Sequence, residues 1–200
     1  MKLIKKALAD IQSTQDLLER AMKLSGLVTS VFKEAGWELV VVGGSAVEFY
    51  TEGAYMSGDV DFCRRSLTPI PLRVAQDIMS QLNATGGPRS WEVAGLFVDL
   101  LGFVENEATA PYRELETPYG KISILPVELT LVERVLTAVY PRPDTEARAV
   151  AEKLMVVCLK GGLDIDWQET ERLAALPTFR ILKEFRQFKK EISDEINRTA

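Results

Sequence analysis

Residues 39–62, LVVVGGSAVEFYTEGAYMSGDVDF, decide the fold. Val40, Val41 and Val42 belong to a β-branched run, Trp37–Val42, that is too short for a helix and does not alternate, so it reads as a strand buried on both faces. Gly43-Gly44 follows, and Ser45 opens a short helix through Tyr50; the spacing Ser45-x-x-Glu48 fits a capping box. Thr51–Gly58 reads as a glycine-containing loop, and Asp59-Val60-Asp61-Phe62 as the start of a second strand.

A strand that ends in two glycines and turns into a helix leaves backbone N–H groups uncovered at the positive end of the helix dipole, where a phosphate can sit. Ser45 adds a hydroxyl, unless it is used in capping its own helix. Asp59 and Asp61, two apart on a strand, face the same way about 6.5 to 7 Å apart. Such a pair of like charges calls for a cation, and hard oxygen ligands without nitrogen or sulfur suit Mg²⁺. Read alone, GGS describes any glycine turn, and DxD any solvated strand end.

Working outward, Ser90–Val104 holds two strand-like runs broken at Ala94-Gly95, a hairpin, and the second, LFVDLL at 96–101, is apolar except for Asp99. A lone charge there needs a reason. Either Asp99 completes a set of three carboxylates for two-metal chemistry at phosphorus, or it pairs with an arginine such as Arg89 or Arg113.

The remainder reads as support. Residues 3–35 are helical, in one or two pieces broken near Ser25-Gly26, with Ile4, Leu8, Ile11, Leu18 and Met22 at helical spacing. Pro69–Leu82 is a helix, Ala84–Pro88 a turn, 105–118 a polar loop and Gly120–Leu125 a strand. Helices follow over Pro126–Val139, Asp144–Leu159, Asp166–Leu176 and Pro177–Asn197. The expected fold is α/β (α+β): a mixed-sheet core with N-terminal helices over residues 1–125, and a C-terminal helical region over 126–200 packed on it.

Composition narrows the chemistry. The 200 residues are 46% hydrophobic and 26% charged, with no histidine and a net charge of −5. Without histidine, the usual zinc sets and Ser/His or Cys/His nucleophile pairs are excluded, so acid–base and metal chemistry fall to carboxylates. Cys63 and Cys158 lack CxxC spacing and read as reduced thiols. No apolar run reaches membrane-spanning length and the N-terminus turns polar too soon for a signal peptide, so a cytoplasmic location is the expectation. Asp164-Ile165-Asp166 is a second DxD, but Asp166-x-x-Glu169 reads as a helix cap. Arg64-Arg65 is either a phosphate contact or a solvated strand end, and the last helix carries a mixed-charge solvated face.

Gly43-Gly44-Ser45, then Asp59-Val60-Asp61, then Asp99 on a later strand resembles the nucleotidyltransferase superfamily of the DNA polymerase β fold, over roughly residues 36–104 and more loosely to about 160. The long GGSA to DVDF interval and the early helices are most similar to uncharacterised bacterial nucleotidyltransferases and abortive-infection toxins. The resemblance implies an enzyme that moves a nucleoside monophosphate from an NTP, ATP among them, to an acceptor hydroxyl on a tRNA, a protein or a small molecule. It implies Mg²⁺ or Mn²⁺ at Asp59 and Asp61, and Asp99 as second-metal ligand or base. It further implies triphosphate contacts from Gly43, Gly44 and Ser45, and Ser57 bracing the DxD turn. The alternative is a non-catalytic member acting as an interaction module with a toxin–antitoxin partner.

Overall fold

The computed structural model describes residues 2–199. Two compact units emerge. Residues up to Phe49, Met56–Glu105 and Tyr112–Leu125 form the first; Tyr50–Tyr55, Asn106–Pro111 and Pro126 onward form the second. The class is mixed α/β, as the sequence predicts.

In the first unit, helices α1 (Lys2–Ser13) and α2 (Leu17–Glu34) lead into β1 (Leu39–Val41), α3 (Gly43–Tyr50), β2 (Asp59–Arg64), α4 (Leu72–Gln81), β3 (Thr85–Gly86), β4 (Ser90–Val93), β5 (Leu96–Phe103), β6 (Arg113–Thr117) and β7 (Gly120–Ile124). The described strands make one sheet in the order β3-β4-β5-β2-β1-β7-β6. β2 runs antiparallel to β1 but parallel to β5, and β1 is parallel to β7. Val60, Phe62, Val98, Trp91 and Val93 supply one buried sheet face, while Ile78 and Met79 of α4 and Leu24, Val28 and Phe32 of α2 are buried with them. Each fully buried side chain of this size contributes about 1.5 to 3 kcal/mol relative to exposure.

Three expectations change here. The helical N-terminus breaks at residues 14–16, where Asp16 caps α2 by accepting from the Glu19 N–H at 2.7 Å, and not at Ser25-Gly26. Gly26 sits inside α2 because the β6–β7 hairpin presses on it: a Cβ there would lie 1.9 Å from Thr117 Oγ1 and 3.1 Å from the Gly120 carbonyl. Gly26→Ala is therefore expected to lower stability by about 2 kcal/mol, although helix propensity alone favours alanine by about 1 kcal/mol. Urea unfolding checks this, and a raised midpoint would refute the packing account. Second, the polar loop at 105–118 contains β6, whose sequence RELET carries no apolar face because it is the sheet's exposed edge. Third, the helix after the glycines already begins at Gly43, so Ser45 lies within its first turn and does not precede it as a cap.

The second unit holds α5 (Val127–Val139), α6 (Thr145–Leu159), α7 (Trp167–Ala175) and α8 (Leu182–Thr199). Asp144 caps α6, and Asp166 caps α7 by accepting from the N–H groups of Gln168 and Glu169 at 2.8 and 3.1 Å. The last helix starts at Leu182 and not at Pro177: Arg180 takes φ +53°, and its N–H and that of Ile181 close a turn back onto Leu176 and Ala174. Along α8, Phe185, Phe188 and Ile192 are buried. Among the described residues no helix is long and apolar enough to cross a membrane.

Glu169 is the electrostatic anchor of this unit. Its carboxylate is 7% exposed, receives two bonds from Arg172 at 2.6 and 2.8 Å, and accepts from the Thr109 N–H at 2.7 Å. The Arg172 bonds hold its pKa down at about 2, against 4.5 when free. A depressed carboxylate contributes stability that is present above pH 4.5 and lost as pH falls toward 2. With allowance for the partly exposed arginine, Glu169→Gln is expected to cost about 2 kcal/mol near neutral pH and nothing near the folded-state pKa. Denaturant melts at the two pH values measure the difference, and an equal cost at both would refute it.

Candidate functional site

The site grows from the turn after β1. The Val42 N–H donates to the Asp61 carbonyl at 3.1 Å, so β1 and β2 stay paired up to the point where the chain enters α3. Gly43 takes φ +64° there, and a Cβ on it would lie 2.6 Å from Asp61 Oδ2. Only a residue without a side chain lets the turn pass this close to the aspartate. The first-turn N–H groups of Gly43, Gly44 and Ser45 have no acceptor within the helix.

Ser45 is fully buried. Its hydroxyl donates to the Asp59 carbonyl at 3.0 Å and accepts from the Asp61 N–H at 2.8 Å. Expected as a side-chain phosphate donor, Ser45 instead uses its hydroxyl to fasten α3 to the strand that bears both aspartates. Its backbone N–H, in the first turn of α3, has no acceptor within the helix.

Parallel pairing sets Asp61 directly beside Asp99, with Asp59 beside Phe97. Side chains alternate along a strand, so Asp59, Asp61 and Asp99 share one sheet face while Val60 and Val98 point into the core. Each aspartate is half-buried, and ligand oxygens of the three lie within 4.8 Å of one another. Among the described residues no other group of three acidic, cysteine or histidine side chains meets this closely. Of the two readings of Asp99, the arginine pairing is not seen: Asp99 forms no ion pair among the described residues, and its Oδ1 is buried without a partner.

Two further groups steady the cluster. The Ser57 hydroxyl donates to Asp59 Oδ1 at 2.8 Å, while its N–H donates to Glu48 Oε2 at 2.8 Å. Glu48 is buried; burial raises its pKa, the Ser57 N–H opposes the shift, and the Asp59 charge adds to it. Sequence reading places Glu48 in a capping box and misses this relay. The signal available was an acidic residue on the buried side of a short helix, which requires a donor.

The donor set fits a divalent ion: hard oxygens only, three converging charges, and one buried oxygen with nothing bonded to it. The other candidates lie elsewhere. Arg65 stacks over the Tyr112 ring at 4.2 Å, donates to Ser123 Oγ at 3.1 Å and approaches Glu38 and Glu114 at 3.5 and 3.6 Å. Arg64 donates to the Leu67 carbonyl and lies over Phe103. Both arginines brace the end of the sheet. Cys158 is buried, which pushes its thiol up to about 12 and leaves it unreactive.

No family model matches the chain, and no curated protein matches it. Solved structures do. The crystal structure of an antigenic nucleotidyltransferase-like protein from Paracoccidioides brasiliensis superposes with a TM-score of 0.55 at 13% identity, covering 88% of this chain and 94% of that one. The crystal structure of ANT(2″)-Ia with adenylyl-2″-tobramycin gives a TM-score of 0.48 at 11% identity, covering 77% and 93%. The first of these shows that the chain has a nucleotidyltransferase-like fold.

Proposed function

We propose that this chain, built on a nucleotidyltransferase-like fold, is an enzyme that transfers a nucleoside monophosphate from a nucleoside triphosphate to an acceptor hydroxyl in the presence of Mg²⁺ or Mn²⁺. The observation that carries the reading is the convergence of three carboxylates from two parallel strands over a glycine turn, one of their oxygens buried without a partner. A non-catalytic module has no need for such a cluster, whose mutual repulsion opposes folding.

Asp59 and Asp61 would hold the ion that accompanies the triphosphate. Asp99 would hold a second ion or take the acceptor proton. Bound there, divalent ions supply neutralisation of the charge on the transferred phosphoryl group. The backbone N–H groups of Gly43, Gly44 and Ser45 would contact triphosphate oxygens, and Ser45 and Ser57, bonded to the Asp59–Asp61 strand and to Asp59, would keep the aspartates oriented. In the transfer, the acceptor oxygen bonds to the α-phosphorus as the bond to the β-phosphate oxygen breaks and pyrophosphate departs. The acceptor proton passes to Asp99 or to solvent. With no histidine in the chain, a carboxylate is the base at hand.

The test is pyrophosphate release from each common NTP in cell extract, titrated with Mg²⁺ and reversed by EDTA. Mg²⁺-dependent release supports the reading. Absence of both Mg²⁺-dependent release and Mg²⁺-dependent NTP binding would reject it.

A further inference from the structure

Beside the carboxylates the same sheet face continues across β5, β4 and β3. Register places Thr85, Glu92, Phe97 and Asp59 in one transverse row, and Ser90, Asp99 and Asp61 in the next. Directly opposed residues on neighbouring strands share a face. Thr85, Ser90, Glu92 and Phe97 are all exposed. Phe97 is 55% exposed although β5 is an interior strand with β2 on one side and β4 on the other. An aromatic ring left in water at mid-sheet, in register with a carboxylate of the proposed centre, offers a flat surface for a ring to lie on.

Charge and size select what lies there. These two rows carry four carboxylates, Asp59, Asp61, Asp99 and Glu92, and neither lysine nor arginine. Glu92 makes no ion pair among the described residues. Once ions and triphosphate have answered the three aspartates, Glu92 still repels a phosphate-bearing acceptor. The platform spans three inter-strand gaps, about 14 Å, enough for one or two rings. Protein docking relies on several buried aromatic or aliphatic anchors, and Phe97 is the single large apolar side chain in these rows.

Resting on the nucleotidyltransferase reading, we infer that the acceptor is a small hydroxyl compound without phosphate groups, uncharged or cationic, laid on the Phe97 ring with its polar edge toward Glu92. Phe97 and Glu92 are then acceptor-positioning residues, and their exposure means that replacing them leaves the core intact.

The experiment incubates the wild-type chain with α-labelled NTPs, Mg²⁺ and a cell extract separated into total RNA, protein and low-mass filtrate. Label is expected in a new low-mass compound, formed only with the filtrate and separable from NTP, NDP and NMP. With the purified acceptor, Phe97→Ala is expected to raise the acceptor KM about tenfold, with the NTP KM held. Glu92→Lys is expected to weaken the acceptor further. Label in RNA or protein, an NTP KM that moves in place of the acceptor KM, or an acceptor bound more tightly by Glu92→Lys would each overturn the inference. Mg²⁺-dependent binding of a non-hydrolysable NTP analogue by the wild-type chain separates the two failures. If that binding is absent, the transferase reading falls as well; if it is present, only the acceptor assignment falls.

Discussion

Replacing Asp99 with asparagine is expected to reduce Mg²⁺-dependent pyrophosphate release on the order of a thousandfold, and at the same time to stabilise the metal-free protein. The two effects share one cause. Ligand oxygens of the three carboxylates lie within 4.8 Å of one another, and Asp99 Oδ1 is buried without a partner. In the absence of a cation this buried Asp99 oxygen has no partner beside two like charges, so removing its charge should return on the order of 1 kcal/mol. Bound ions reverse the ranking, because a ligand that binds only the folded state raises its stability by mass action. Thermal melts should therefore show the Asp99→Asn protein above wild type in EDTA and below it in saturating Mg²⁺. A variant less stable than wild type in EDTA, with no change in ranking on adding Mg²⁺, would mean that Asp99 is a structural group and would remove the basis of the proposed chemistry.

Much of this site was legible because its cues are local. An apolar run, a glycine pair and alternate aspartates in 39–62 follow from strand and turn stereochemistry, and a single charge in LFVDLL marks Asp99 without any knowledge of the fold. The pairing of β2 with β5 was not legible. These strands are separated by α4 and the short β3 and β4, and their parallel register depends on packing that no short window of sequence contains. β6 escaped for a different reason: as an exposed edge strand it has no apolar face to alternate. Gly26 misled because a glycine inside a helix signals either a break or a close contact, and only the position of Thr117 decides between them. Ser45 shows the same limit at the site itself. Its spacing to Glu48 fits a cap, yet its hydroxyl is used by a strand fourteen residues further on.

Gly43→Ala should separate backbone strain from active-site geometry, with Gly36→Ala as the reference. Both glycines have positive φ, +64° and +86°, so alanine carries a left-handed penalty of about 1 to 2 kcal/mol at either position. Their surroundings differ. Around a Cβ at Gly36 nothing lies within 4 Å, whereas one at Gly43 meets Asp61 Oδ2 at 2.6 Å and Asp61 Cγ at 3.3 Å. Gly36→Ala should accordingly lower stability and leave transfer unaltered. At Gly43 the added methyl must push the Asp61 carboxylate aside, because the Asp61 backbone N–H donates to Ser45 Oγ at 2.8 Å and holds the main chain of the strand in place. The expected result is a similar loss of stability with a fall in Mg²⁺-dependent turnover of about a hundredfold, since displacing a reacting group by about an ångström has that effect. The Mg²⁺ concentration for half-maximal rate should rise as well, because Asp61 is one of the groups displaced. Equal activity of the two alanine variants at matched stability would show that the glycine serves the turn alone and that Asp61 does not need the space it leaves.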